Sequence, residues 1–524
     1  VLQRLKSIIT YRNLYLFSLI LIATGLAVSK PLIILGQMCL AALWLITGNY
    51  KEKLKNFAQN KMALVLSSLF LISIVGLINT SDFDYAFGDL RRKLHLFLLP
   101  FFVASFPPLS SKEVKLVFHN FLFWIVFSSL WSMVFYLGIA EEQILDKRQL
   151  SRYHSHIRFG LEVCLAIFGS VYYFVKNKEA KYKWIWLLVA IWLFVFLFLM
   201  GMFTGIIVFI ITSIVLLVVL SFSSSNNIIK YGFLILVTSI IAFSIYFVIT
   251  DVNKYLATKD VEPLPKLEYS PSGEKYAHDI STVRQYDKEN GYIVWKNIAW
   301  GEIKAEWNKR SKIDFDGMDL KGQKLTTTLI RFLTSKGEIK NAEAIKKLTE
   351  SEQKAVEQGV SNVNFLNDNV ITRRLHKIFW EFDNYYQGRD YNGHSVVMRW
   401  EYAKIAISTI KENWLIGVGT GDVRLAFDSY YEKNNSILLP KYRRRAHNQF
   451  LTYTVTFGVI GGLWFLIVLV YPILVFKSHK NYLYLALFCI SFLSMLSEDT
   501  LETLVGIVYF IFFSSIFLLQ KTKN

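Results

Sequence analysis

The segment RRRAHNQFL, Arg443 to Leu451, sets three arginines and a histidine directly before a long apolar run. Cations are costly beside hydrocarbon, so this threshold reads as a place that receives an anion. Guanidinium groups grip phosphate oxygens through paired hydrogen bonds. A histidine titrates close enough to neutrality to take a proton from a hydroxyl. Arg443, Arg444, Arg445 and His447 therefore have the residue types for group transfer from a lipid-linked diphosphate. The arginines would stabilise the leaving group and His447 would act as the base. The plainer alternative is an interfacial histidine that only makes a hydrogen bond, so the reading depends on what else converges here.

Other cations stand at the ends of apolar runs. Arg91, Arg92 and Lys93 precede one, and KRQLSRYHSHIRFG, with His156 and Arg158, leads into another. The stretch SVVMRWEYAKIAISTIKENW is amphipathic at helical spacing, with Val396, Trp400, Ala403, Ile407, Ile410 and Trp414 on one stripe and Arg399 beside it. It reads as a helix lying in the membrane interface. Each single cation could be a snorkelling anchor, but three clusters at equivalent positions favour an anion site. Nucleophile and metal motifs are scarce. Cys39, Cys164 and Cys489 each lie inside apolar runs, and neither GxSxG nor HExxH occurs. Asp82 and Asp84 of DFD are an acidic pair that suggests a divalent ion, as in metal-dependent membrane glycosyltransferases.

The elements that must position these residues are membrane spans. The 524 residues are 53% hydrophobic and 16% aromatic, beyond the range of an ordinary soluble chain. By the rule of roughly 20 apolar residues per span, about twelve stretches are candidates: 12–29, 31–48, 61–79, 92–106, 114–138, 157–175, 183–200, 203–221, 229–250, 448–476, 481–497 and 503–520, of which the fourth is short and contains Pro100. The first run is followed at once by a second, which favours a span over a cleaved leader. Lys-rich connections such as KEKLKNFAQNK, KNKEAKYK and QKTKN alternate with the acidic EEQILD and SEDTLE. By the positive-inside rule both termini are then cytoplasmic and the long segment 251–446 lies outside. The same rule absorbs most of the net charge of +18, so nucleic acid is not an expected partner. The expected organisation is a bundle over 1–250, a mostly helical loop domain over 251–446 and a C-terminal group of spans over 447–524. Within the loop, SKGE (335–338) and TESE (349–352) carry the spacing of helix-starting caps. GVGTGD (417–422) reads as a turn rather than a nucleotide loop.

At these residues the chain resembles the O-antigen ligases and O-antigen polymerases. His447-Asn448 is followed, after nine residues, by Gly458-Val459-Ile460-Gly461. Arg399-Trp400 and Gly417–Gly421 match the upstream arginine helix and glycine turn. The strongest likeness covers roughly 395–465, and the many-span layout with one late loop extends it.

The resemblance implies an all-α polytopic membrane protein of GT-C-like fold. It would move a glycan from undecaprenyl diphosphate to an acceptor hydroxyl, with inversion and with neither metal nor cofactor. It implies His447 as base and Arg399 as a diphosphate contact, and it places His156 and Arg158 where the family has further polar residues. The residues themselves add the Arg443–Arg445 cluster as diphosphate ligands and Asn448 to orient the ring or a phosphate oxygen. Lipid A-core is the expected acceptor, with a growing glycan or a protein side chain as alternatives. The bacterial inner membrane is the expected location, with the loop domain periplasmic. One feature departs from the family: the Ser-Arg pair many relatives carry before the eighth span is missing from MGMFTGII, leaving Arg158 or Arg91 and Arg92 to replace it. A polysaccharide exporter is the rival from another class. It would place charges at the middle of spans, and here they gather at span ends.

Overall fold

The computed structural model describes residues 10–140, 147–176, 180–223, 225–257, 261–280, 287–366 and 370–519. EEQILD (141–146), NKE of KNKEAKYK (177–179) and QKTKN (520–524) lie outside the described residues. The chain divides into two compact units, Val1–Leu234 with Met398–Asn524, and Ile235–Val397.

The regular structure is almost wholly helical. In chain order the helices are α1 (Tyr11–Val28), α2 (Lys30–Ile46), α3 (Tyr50–Gln59), α4 (Lys61–Val75), α5 (Phe83–Lys93), α6 (His95–Ser105) and α7 (Ser111–Tyr136). Then come α8 (His156–Lys176), α9 (Ala180–Leu199), α10 (Phe203–Ser223) and α11 (Asn227–Ala257). The second unit adds α12 (Trp300–Arg310), α13 (Leu325–Ser335), α14 (Ala342–Lys346), α15 (Glu350–Glu357) and α16 (Val370–Tyr386). The chain finishes with α17 (Ser395–Glu412), α18 (Val423–Lys433), α19 (Gln449–Leu474), α20 (Tyr482–Met495) and α21 (Leu504–Leu518).

All twelve apolar stretches fall on helices, and the molecule is an all-α polytopic membrane protein. Length separates the helices. Among the described residues seven, α1, α7, α8, α9, α10, α11 and α19, are long and apolar enough to cross a membrane, or eight if α3 and α4, bent by 89°, form one broken span. The helices on 31–48, 481–497 and 503–520 are shorter, at 17, 14 and 15 residues. The stretch 92–106 is divided between the end of α5 and the 11-residue α6, which contains Pro100. The cause is local: polar turns cut into apolar sequence, and a proline removes a helical hydrogen bond. Hydropathy counts residues without seeing these breaks.

Packing in the first unit joins distant parts of the chain. α21, one of the most buried helices, lies against α6, and α20 lies against α8 and α10. Arg12 on α1 reaches Glu113 on α7 at 2.6 Å. That glutamate also closes a capping box with Ser110.

The second unit has its own apolar core, including Trp307, Leu325, Leu329, Phe332 and Ile345. The Trp307 indole donates to Ile313 O at 2.9 Å. A short antiparallel hairpin pairs Lys288–Glu289 with Tyr292–Ile293. TESE starts a helix as expected, Thr349 and Glu352 forming a capping box on α15. SKGE instead ends one. Ser335 is the last residue of α13, Gly337 has φ of 72°, and Glu338 N returns to Leu333 O at 3.1 Å. The glycine, free to take the left-handed region, overrides the Ser-to-Glu spacing.

Candidate active site

His447 stands just ahead of α19, separated from it by the cap residue Asn448. Asn448 caps that helix, its Oδ1 accepting from Leu451 N at 3.0 Å while its Nδ2 donates to Leu496 O at 2.9 Å. The cap stops the helix one residue short of the histidine, whose own φ is 47°. A left-handed non-glycine residue costs about 1–3 kcal/mol. It persists here because the cap and the following helix hold the turn.

Tyr402 on α17 supplies one wall. Its ring stacks on the His447 ring with centroids 5.5 Å apart and planes 26° apart. The Tyr402 hydroxyl donates to Tyr442 O at 2.6 Å, fixing the ring. Arg399 lies one turn earlier on the same helix, so Arg399 and Tyr402 face inward together. The face packed on the protein is Tyr402, Ile405, Ala406 and Thr409, whereas Trp400, Ile407 and Trp414 of the predicted stripe are exposed. α17 is thus apolar on two sides, as an interfacial helix resting on its own protein would be.

The partner of both Arg399 and His447 is Glu498, in the loop between α20 and α21. Its Oε1 lies 2.5 Å from Arg399 Nη2. Its Oε2 lies 3.6 Å from His447 Nδ1, beyond a hydrogen bond, and Nδ1 has no other hydrogen-bond partner among the described residues. Glu498 is buried, which opposes its charge. His447 and the cations Arg399 and Arg158 outweigh that burial and hold the carboxyl below its ordinary value. With Nδ1 turned to a carboxylate, Nε2 is the nitrogen left for an incoming hydroxyl.

The rest of this loop gathers the other cations. Arg158, at the start of α8, donates to Thr500 Oγ1 and Asp499 O, both at 3.2 Å. Thr452 donates to Asp499 Oδ1 at 2.6 Å. Burial pushes Asp499 up, with Arg445 opposing. Glu502 is buried between Lys93 (3.0 Å) and Arg445 (3.0 Å), and Lys93 also pairs with Asp89 at 2.8 Å. Burial would raise the Glu502 carboxyl, but Lys93 and Arg445 bring it well below the usual range. Gln449 completes the frame, accepting from Leu501 N at 2.6 Å.

The sequence-derived candidates therefore separate by position. Arg399, His447, Asn448, Arg158 and Arg445 converge on the loop 496–502. Arg443 turns away to Glu432 and Leu438 O. Arg444 is exposed with no ion pair among the described residues, and its charge is felt by Tyr402. His156, the first residue of α8, shares a hydrogen bond with Ser151 at 3.0 Å through Nδ1. Arg91 and Arg92 line an open groove of about 640 Å³ with Tyr85, His95 and Leu504. Asp82 caps α5 through Tyr85 N at 2.9 Å, and Asp84 edges that groove.

Glu498, Asp499 and Glu502 escape a reading of the sequence, in which SEDTLE is an acidic loop that merely sets topology. The available signal was charge balance: basic clusters beside buried apolar packing need carboxylates nearby.

The glycine turn fixes where α17 and α19 meet. Val418 N and Gly419 N donate to Val455 O and Thr456 O, both at 2.9 Å, and Val459 N donates to Trp414 O at 2.7 Å. These bonds are possible because Gly458 leaves the helical conformation, with φ of 67°. A Cβ there would meet Leu415 O at 2.1 Å.

Residues 355–466 match the family model described as O-antigen ligase. That region contains α17, the glycine turn, His447 and the Gly458 break. No curated protein matches the chain.

Proposed function

We propose that the protein transfers a glycan from undecaprenyl diphosphate to an acceptor hydroxyl at the periplasmic face of the bacterial inner membrane. The observation that carries this reading is the Arg399–Glu498–His447 constellation, in which a diphosphate-type cation and a candidate base share one carboxylate. In this mechanism His447 Nε2 takes the acceptor proton as the hydroxyl oxygen attacks the anomeric carbon. The bond from that carbon to the diphosphate oxygen breaks, and the pair of electrons leaves with the polyprenyl diphosphate. Attack opposite the leaving group inverts the centre. Arg399 and Arg444 hold the departing charge, and Arg91 and Arg92 receive the donor's phosphates on entry. Glu498 orients the imidazole and balances the imidazolium that forms, a positioning role. Arg158 and Arg445 act on the loop that carries Glu498.

Lipid A-core is the acceptor we propose. A polymerase or a protein glycosyltransferase would use the same donor chemistry and differ in product: a single transfer onto a lipid core, a ladder of chains on polyprenyl diphosphate, or a modified polypeptide.

The test is turnover of a polyprenyl-diphosphate glycan by purified protein with acceptor and excess chelator, comparing wild type with His447→Ala. Turnover lost only in the variant supports the mechanism. Turnover abolished by chelation and restored by a divalent ion would move the chemistry toward Asp82 and Asp84.

A further inference from the structure

The unit Ile235–Val397 contains a cavity of about 100 Å³, lined by Lys288, Lys296 and Lys340 together with Tyr292, Asn297 and an apolar edge at Leu264. No carboxylate belongs to its described lining. Lys340 is fully buried, and its Nζ donates to Ile293 O at 3.2 Å and Lys296 O at 3.0 Å. An ammonium has three donors, so one remains for a ligand. Lys296 Nζ spends one donor on Leu264 O at 2.5 Å. Among the described lining residues the three lysines meet no carboxylate, and the charge of the buried Lys340 is costly unless it is paired.

The walls are set in advance. Lys340 N donates to Asn297 O at 3.1 Å and Ala299 N donates to Lys340 O at 2.8 Å. Asn297, with φ of 57°, ties the turn to Leu267 N and Pro265 O through its own side chain. At ~30 Å³ per water the space suits a single anionic group, not a whole sugar. Lys288 is exposed on the lining, and the half-buried Tyr292 also lines the cavity.

We propose that this cavity binds the acidic group of a sugar, a carboxylate or phosphate, between Lys288, Lys296 and Lys340, with the sugar ring against Tyr292. The choice of a sugar rests on the glycan-transfer reading, whereas recognition of the anion rests on the lysines alone. Burial, then the charge of Lys296, lowers the Lys340 amine to about 7. A bound anion favours the protonated amine. Binding therefore takes up a proton above that pH and weakens as pH rises.

The test is calorimetric titration of the full-length protein in detergent with sodium glucuronate, inorganic phosphate and glucose, at pH 7.0 and 8.5. Glucuronate is expected to bind and glucose not to bind. Affinity should fall roughly tenfold at the higher pH, as the protonated fraction falls, with proton uptake visible between two buffers. Lys340→Met should weaken glucuronate at least about tenfold, a loss of ~1.4 kcal/mol. Lys296→Met serves as a second variant if Lys340→Met does not fold. Equal binding by these variants and wild type, equal binding of glucose, or no heat from either glucuronate or phosphate would overturn the proposal. Binding of phosphate without glucuronate would overturn the sugar assignment. His447→Ala should bind glucuronate as wild type does, so loss of transfer and loss of this site are separable outcomes.

Discussion

Arg399 and Glu498 are separated by 99 residues of sequence and 2.5 Å of space. Their contact joins α17 to the loop between α20 and α21, and it places the cation and the histidine on opposite oxygens of one carboxylate. Each change at this carboxylate is therefore expected to be felt by both partners.

Glu498→Gln keeps the shape of the side chain and removes its charge. The expected outcome is a fall in kcat of about 10²–10⁴, the range for assisted proton transfer, with KM for the donor changed much less. Glu498→Asp should recover part of the loss. A kcat within twofold of wild type for Glu498→Gln would remove Glu498 from the mechanism.

Arg399→Lys is not conservative at a site that uses a planar fork. Both Arg399→Lys and Arg399→Ala should lose turnover. The double variant Arg399→Ala with Glu498→Gln should lose less than the two single effects combined, with a coupling of about 0.5–3 kcal/mol. Strict additivity in that cycle would mean that the two side chains act independently.

Glu502→Gln breaks a buried group of charges and should destabilise the protein by roughly 3–5 kcal/mol at pH 7. The sign with pH follows from its lowered carboxyl, about 2 when folded against 4.5 as the ordinary value. Its stabilisation is fully present above 4.5 and is lost as pH falls through about 2. Thermal unfolding of wild type and variant should differ most at neutral pH, with the difference narrowing progressively as pH falls from about 4.5 toward about 2. A constant difference down to pH 3 would contradict this.

Gly458→Ala adds a methyl where Leu415 O already stands and forces alanine into the left-handed region. A loss of about 1–3 kcal/mol from the backbone alone is expected, with more from the clash. Differential scanning fluorimetry in detergent reads it directly, and an unchanged melting temperature would show that α19 straightens at no cost.

Much of this arrangement was legible in the chain itself. The arginine helix follows from periodicity, and the histidine before α19 from the cations gathered at the threshold of an apolar run, whereas the cap that Asn448 makes on α19 does not appear in that reading. Local rules missed what depends on long-range pairing. Glu498 reads as a topological acid because nothing near it in sequence reveals Arg399. Arg158 and Arg445 read as free phosphate ligands because the loop that receives them is distant. The apolar stripe through Trp400 and Ile407 was recognised, but periodicity does not say which apolar face meets protein and which meets lipid. SKGE misled for a different reason, since one glycine's left-handed backbone outweighs a favourable cap spacing.

The break at Gly458 gives the interval from His447 to that glycine an angular meaning. Each helical residue advances about 100°, so the run between Asn448 and Gly458 sets the compass bearing of the histidine relative to Arg399, while the backbone bonds to Val418 and Gly419 hold the origin. One residue inserted or deleted in that run would swing the base about a quarter of a circle off its bearing with every side chain at the site still present. The counted spacing is a phase, and the glycine is its zero mark.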